Sequence, residues 1–232
     1  SVLIWSLANE SQWSNLWHEA HLLAARLDGT RPVTFHDQAF GGYNNFGSSE
    51  MAIANYHYPG DEDPSVRRNL GKPLLYGEYC HINTYNRREI LTDPGVRDNW
   101  GQGFSRMWEN CYQSKSILGA AIWAGIDDIF YLPDSTAVGY GEWGIIDGWH
   151  REKPEYFHVK KAYSPVKIFN TGLEFPAEGS SIKLNVENRY DFTNFSELNF
   201  RWKCGKTEGV INSELTPRTE GILLVPVTRL SG

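Results

Sequence analysis

Val2-Leu3-Ile4-Trp5-Ser6-Leu7-Ala8-Asn9-Glu10-Ser11 begins as an almost unbroken apolar run and turns abruptly polar at Asn9-Glu10. An apolar run without alternation is how a strand buried on both faces reads, and such strands belong to parallel sheets. The same grammar recurs downstream. Between Ser14 and Asp28, Leu16, Ala20, Leu23, Ala24 and Leu27 stand at helical spacing, with Ser14 placed to cap the helix and Gly29 to end it. Arg31–Phe35, Met51–Tyr56 and Lys72–Gly77 are further short strand-like runs, the last leading directly into Glu78. Residues 96–116 predict a helix with Val96, Trp100, Met107 and Cys111 on one side, its first turn weakened by Gly101 and Gly103. Ile117–Trp123 predicts a strand, and Pro154–Tyr163 a closing helix with proline near its start.

Strand, loop and helix in repeated succession, with polar residues gathered where strands end, predict an α/β fold, either a βα barrel or a doubly wound sheet. Both place ligands at the carboxyl ends of their strands. After Ser164-Pro165 the pattern changes. Val166–Asn170, Ser181–Asn188, Leu198–Cys204 and Ile222–Thr228 alternate apolar and polar residues with no helix between them, as in part of an antiparallel β-sandwich. The expected domains are therefore 1–164 and 165–232.

Composition narrows the function. A formal charge of −6 on 232 residues gives no electrostatic reason to expect nucleic acid or an anionic membrane. Apolar runs such as Gly119–Trp123 are far too short to span a bilayer, and no basic segment followed by an apolar stretch opens the sequence. Cys80, Cys111 and Cys204 are widely spaced and form no metal-ligand pattern, so they read as free structural thiols. Nine Trp and twelve Tyr exceed what a core of this size asks for. Flat aromatic faces suit the C–H faces of sugar rings as well as a large core.

Hydrolysis of a glycoside needs two carboxyl groups flanking one bond. Glu10 and Glu78 are the carboxylates that follow an apolar strand-like run within three residues and precede polar or aromatic loop residues. Other signals carry less. Gly139-Tyr140-Gly141-Glu142-Trp143-Gly144 fits a dinucleotide glycine pattern but has no βαβ unit around it, and reads as a glycine-rich loop over a cleft. His18 and His21 stand at i, i+3, not the i, i+4 of a zinc protease helix. Asp61-Glu62-Asp63 reads as a solvated loop, Asp127 and Asp128 as acids past a strand that could rim a pocket, and no nucleophile-elbow serine is present.

These residues carry a resemblance. Ser1–Ser11, with its Asn9-Glu10 pair, resembles the acid/base strand of glycoside hydrolase family 2, the family of β-galactosidases and β-glucuronidases. Pro73-Leu74-Leu75-Tyr76-Gly77-Glu78-Tyr79-Cys80-His81 is similar to its nucleophile strand, and Leu118–Trp123 to its eighth strand. Lys153-Pro154-Glu155 and Lys160–Pro165 are similar to its last barrel helix and exit. The resemblance implies strands 4–8 of a (β/α)8 TIM barrel followed by part of a sandwich. It implies Glu10 as general acid/base, Glu78 as nucleophile and Asn9 on the sugar 2-hydroxyl. In Asn55-Tyr56-His57-Tyr58-Pro59 the family places a tyrosine on the nucleophile; Tyr58 is favoured because proline follows, with Tyr56 the alternative. His81 matches a sugar-contacting histidine of the galactosidase branch, and Trp123 a sugar platform.

The implied activity is a retaining exo-β-glycosidase, β-galactosidase-like. Galactose leads by elimination: the asparagine of the galactosidase branch has no counterpart at Glu142-Trp143-Gly144-Ile145, and the Asn-x-Lys of the glucuronidases is missing from that region. The alternatives are a β-glucuronidase or other related retaining glycosidase, and a non-catalytic carbohydrate-binding or structural fragment. The resemblance admits a divalent cation, but its remaining ligands would lie ahead of Ser1, so no metal is assigned. Expected partners are β-linked glycosides, neither nucleic acid nor membrane, with room for a homo-oligomer. The family's leading β-domains and first three barrel strands have no counterpart, so the reading is of a piece of a larger polypeptide, inactive by itself.

Overall fold

The structure, a computed structural model, describes residues 2–36, 50–58, 71–81, 94–170, 172–174 and 180–226. The acidic run Asp61-Glu62-Asp63 and the chain's end lie outside them. Two compact units are present, Ser1–Ala162 and Tyr163–Gly232. No helix among the described residues is long and apolar enough to cross a membrane.

In the first unit β1 (Trp5–Ser6), β2 (Val33–Phe35), β3 (Ile53–His57), β4 (Leu74–Tyr79) and β5 (Ile117–Ile122) form one parallel sheet in sequence order. Helix α1 (Asn15–Leu27) connects β1 to β2, and α2 (Pro94–Gln113) precedes β5. A short antiparallel pair, β6 (Ile129–Tyr131) and β7 (Ala137–Gly139), follows, and then α3 (Pro154–Tyr163). Parallel strands in sequence order with intervening helices make this a partial (β/α)8 barrel.

Alternation along the strands sorts the side chains. Val33 and Phe35 of β2 meet α1: Trp13 packs edge-on to Phe35 at 4.9 Å and Trp17 tilts against it at 5.2 Å, with Met51 and Ala24 in the same cluster. On β4, Tyr79 meets Phe104 of α2 at 5.7 Å, and Phe104 stacks on Trp100 at 5.3 Å. The opposite strand face carries Ser6, Thr34, His36, Asn55, His57, Leu75 and Gly77 into a cleft. Helices α2 and α3 are joined by a buried ion pair in which Arg97 Nη1 donates to both oxygens of Glu155 at 2.6 Å. Gly101 makes their approach possible, because a Cβ there would fall 2.2 Å from the His158 ring.

Among the described residues β1 has β2 beside it in the sheet, and Leu3 is 78% exposed, with Val2 and Trp5 exposed too. Two expectations need correction. On α1 the packed residues are Trp17 and Ala24, whereas Leu16, Leu23 and Leu27 are exposed, because Phe35 draws the tryptophans and turns the helix with them. Ser14 is the N-cap residue, yet its side chain makes no capping hydrogen bond. The hairpin β6–β7 was not anticipated. The three cysteines are free thiols, as expected.

In the second unit β8 (Val166–Ile168), β9 (Ile182–Asn188) and β12 (Thr219–Val225) form an antiparallel sheet in the order β12-β9-β8, and β10 (Phe200–Cys204) pairs with β11 (Thr207–Ile211). The β11 strand was not anticipated either. Val186, Phe195 and Leu223 are the core, flanked by Leu184, Leu198, Phe200 and Leu215. Buried Asn188 donates from Nδ2 to the carbonyls of Thr193 and Leu215, both at 3.0 Å, and so ties two loops to β9.

Removing one partner of a buried ion pair leaves the other charge uncompensated, at a cost of about 3–5 kcal/mol. Arg97→Met is expected to lower stability by about that amount. The double variant Arg97→Met/Glu155→Leu should recover much of it. Urea unfolding of the single and double variants measures both.

Candidate active site

Backbone geometry beyond the ends of β1, β3 and β4 builds the site. Beyond β1 the chain stays alongside β2, with Leu7 N donating to Thr34 O at 3.0 Å and Ser11 N to His36 O at 3.2 Å. Glu10 lies inside this stretch at φ 44°, and Tyr58 and Cys80 leave β3 and β4 at φ 47° and 54°. A left-handed non-glycine residue costs about 1–2 kcal/mol, and such residues cluster where side chains must be aimed. Glu10 N donates to His36 Nδ1 at 3.1 Å, and Tyr58 N donates to Glu78 O at 2.9 Å, so each turn is tied to its neighbour.

Glu78 is aimed by a register shift. Tyr56 of β3 pairs with Tyr76 of β4, but the next pair is His57 with Glu78. Bulges of this kind recur beside active sites, where they redirect a side chain. The result is a cluster around one atom. His57 Nδ1 lies 3.0 Å from Glu10 Oε1 and 3.5 Å from Glu78 Oε2. The Tyr58 hydroxyl donates a short hydrogen bond to Glu78 Oε2. The Glu78 side chain is 12% exposed and that of Glu10 39%. A cleft of about 480 Å³ borders the cluster, lined among others by Asn9, His36, Asn55, His57, Gly77 and Glu78.

Two histidines form the floor. His36 and His57 stack with ring centroids 3.3 Å apart and planes 10° from parallel. Burial, and secondarily the neighbouring His57, push the His36 pKa down from its ordinary 6.5 to about 3. Since His36 Nδ1 accepts from Glu10 N, the proton of the neutral ring sits on Nε2. That atom is buried with no hydrogen-bond partner among the described residues.

Glu10, His36 and His57 each bring a ligand-type atom within 4.8 Å of the others. The stack is nevertheless unsuited to a cation. Metal–nitrogen bonds of about 2.1 Å run in the imidazole plane, and two parallel rings in contact cannot both direct in-plane lone pairs at one ion. As arranged, the cluster does not fit a divalent metal.

The structure thus brings Glu10, Glu78, Asn9 and Tyr58 together, while Tyr56 is buried and tilted against Tyr76 at 6.5 Å. His81 reaches the group through Tyr58, at 5.8 Å, and touches Trp143 at 5.2 Å. Trp123 packs in the adjacent cluster of Ala124 and Trp143 and is not among the cleft-lining residues. Asp127 has a structural contact set: Gly144 N and Lys153 Nζ donate to its Oδ1 at 2.7 and 2.8 Å, and burial raises its pKa against them. Asp128 Oδ2 accepts from Trp143 Nε1 at 3.1 Å, so the glycine-rich segment is anchored by both acids. His36, His57 and Gly77 were not singled out from sequence. The signal was there for the histidines, each of which ends or directly follows a strand as Glu10 does.

The family model described as "Glycosyl hydrolases family 2, TIM barrel domain" matches residues 1–168. A β-galactosidase of Priestia megaterium is 28% identical over 233 residues, which is 97% of this chain and 21% of the galactosidase. A GH2 β-galacturonidase from Eisenbergiella tayi, solved bound to galacturonate, shares 20% identity with a TM-score of 0.52 over 69% of this chain and 32% of its own. A β-glucuronidase of an uncultured Clostridium sp. gives 0.52 at 17% identity, over 68% and 31%. At these identities the solved structures show a common fold. The chain spans about a fifth of the length of the curated galactosidase.

His36 makes folding acid-sensitive. Between its ordinary 6.5 and about 3 the unfolded chain binds a proton that the folded ring refuses, so stability rises with pH across that window. The His36 contribution is complete above 6.5 and is lost progressively as pH falls toward 3. His36→Asn should flatten the slope of unfolding free energy against pH in this range, as read from urea titrations at successive pH values.

Proposed function

Because the chain belongs to glycosyl hydrolase family 2, we propose that it carries the catalytic carboxylate pair of a retaining β-glycosidase, Glu10 as general acid/base and Glu78 as nucleophile. One observation carries this reading: both carboxylates meet His57 Nδ1, at 3.0 and 3.5 Å, so the two oxygens stand no further apart than those distances together, about 6.5 Å. Retaining pairs stand about 5–5.5 Å apart, and inverting pairs about 6.5–9.5 Å, to admit a water.

The surroundings suit the two roles. Glu78 is the more buried, and the Tyr58 hydroxyl donates to its Oε2, which leaves Oε1 as the oxygen proposed to attack the anomeric carbon. Glu10 is the more exposed, open to a leaving group and then to water. In the first displacement Glu78 attacks C1, the bonding pair leaves with the glycosidic oxygen, and that oxygen takes the Glu10 proton. In the second, water loses a proton to Glu10 and attacks C1, and the ester pair returns to Glu78. Asn9 lines the same cleft, and its proposed role is a hydrogen bond to the sugar 2-hydroxyl. A terminal β-galactoside is the proposed substrate, supported by the galactosidase relative; His81 and Trp123 are its proposed sugar contacts.

The test uses the longest polypeptide in which these residues occur, on a panel of nitrophenyl glycosides. The β-galactoside is expected to be turned over fastest, with retention. Glu78→Ala should abolish turnover, and azide should restore it with inverted product. Glu10→Ala should slow substrates with poor leaving groups far more than activated aryl glycosides, since the former need the proton. Equal losses on both substrate types would remove Glu10 from the acid role.

A further inference from the structure

We propose that His57 is a positioning residue whose Nδ1–H follows the negative charge as it passes from Glu78 to Glu10 and back during the two displacements. This rests on the reading of those residues as nucleophile and acid/base.

The geometry begins with one nitrogen and two oxygens, Glu10 Oε1 at 3.0 Å and Glu78 Oε2 at 3.5 Å. One N–H donates well to a single acceptor at a time, and the bond is strongest to whichever carboxylate is charged. In the structure the hydrogen bond runs to Glu10, with the Glu78 oxygen just beyond it; with the proton on Glu10, as the acid role requires, the charged acceptor within reach is Glu78. Once the glycosyl ester forms, Glu78 is neutral and Glu10 is the anion. A small tilt of the imidazole serves either state. No proton moves on or off His57, which acts as a fixed dipole aimed where charge arrives.

The ring is built to stay in place. It is buried, stacked on His36 at 3.3 Å and edge-on to Tyr58 at 5.9 Å. His36, held neutral by burial, adds no competing charge. Gly77 keeps the space clear: a Cβ there would lie 2.8 Å from His57 Nε2 and 2.5 Å from Asn55 Oδ1. The titratable groups facing His57 are thus Glu10, Glu78, His36 and Tyr58. Their arrangement is unequal. Glu78 keeps the Tyr58 hydroxyl as a second donor, whereas His57 is the one side-chain partner of the Glu10 carboxylate among the described residues. Loss of the donor therefore weighs on Glu10.

The experiment compares His57→Leu, which keeps bulk and removes the donor, with His57→Asn, which restores an N–H₂ near the Nδ1 position. Both are made in the longest polypeptide that carries these residues and read as kcat/KM against pH on a glycoside with a poor, alkyl leaving group, whose cleavage needs the Glu10 proton. His57→Leu should lose about tenfold or more and move the basic limb, set by Glu10, up by about one pH unit, the acidic limb moving less. His57→Asn should hold the basic limb near its wild-type position. Gly77→Ala, which displaces the ring without altering it, should move the basic limb the same way as His57→Leu and guards against a Leu variant that folds poorly. An unmoved basic limb in His57→Leu, or an equal shift in His57→Asn, overturns the proposal. Glu10→Ala and Glu78→Ala in the same assay separate the two failures. If both are inactive while the limb stays put, His57 alone is misassigned; near-full activity in either removes the catalytic reading and this proposal with it.

Discussion

The register shift between β3 and β4 is the constraint on which the site depends. Leu74 and Tyr76 are buried on the helix side of β4, and strict alternation would send Glu78 the same way. Because β4 advances one residue between the Tyr56–Tyr76 and His57–Glu78 pairs, the parity resets and the Glu78 carboxylate enters the cleft. The residue passed over is Gly77, whose N–H donates to Asn55 Oδ1 at 3.0 Å and whose missing side chain leaves room for the His57 ring. One irregularity thus places a carboxylate, a histidine and an amide together. Any side chain at the skipped position would press on two of them.

Polar lining is unusual for a barrel interior, which branched apolar side chains commonly fill in layers. Here Thr34, His36, Asn55 and His57 are all buried. Each buried polar group costs free energy unless it is satisfied, and most of these are. Thr34 donates to Ile53 O at 3.0 Å, Asn55 accepts from Gly77 N, and His36 accepts from Glu10 N. Several of these bonds end on backbone at the turns that carry the carboxylates. The lining therefore stiffens the site as well as occupying it.

The fold was legible because its signals are local. Apolar runs ending in charge mark parallel strands, and the change to alternation after Ser164-Pro165 marks the second unit's sheets. Glu10 and Glu78 stood out as carboxylates at strand ends, and they do meet at one atom. His36 and His57 obey the same rule, but a search framed around carboxyl groups passes over them. Other features depend on long-range geometry. The orientation of α1 follows from Phe35 attracting Trp13 and Trp17, two aromatics that a count of aliphatic residues at helical spacing leaves out. The bulge that turns Glu78 inward follows from pairing between strands. Neither is written in the spacing of residues along one segment.

The two faces of the sheet divide the labour. On the helix side Phe35, Tyr56, Leu74, Tyr76 and Tyr79 are buried, all but Leu74 in contact with a second aromatic ring, and that burial is the main favourable term. On the cleft side the buried groups are polar, and their arrangement serves charge more than packing. Truncations on the helix face should then act through stability, by the cavity they leave. Changes on the cleft face should alter the balance between two carboxylates within about 6.5 Å of each other while the outer packing stays intact. Two like charges that close cannot both ionise freely, so the site needs a group that favours one charge without fixing which. An N–H within reach of both oxygens, as His57 Nδ1 is at 3.0 and 3.5 Å, can do this. An imidazole packed against a second, neutral imidazole is a physical answer to that requirement.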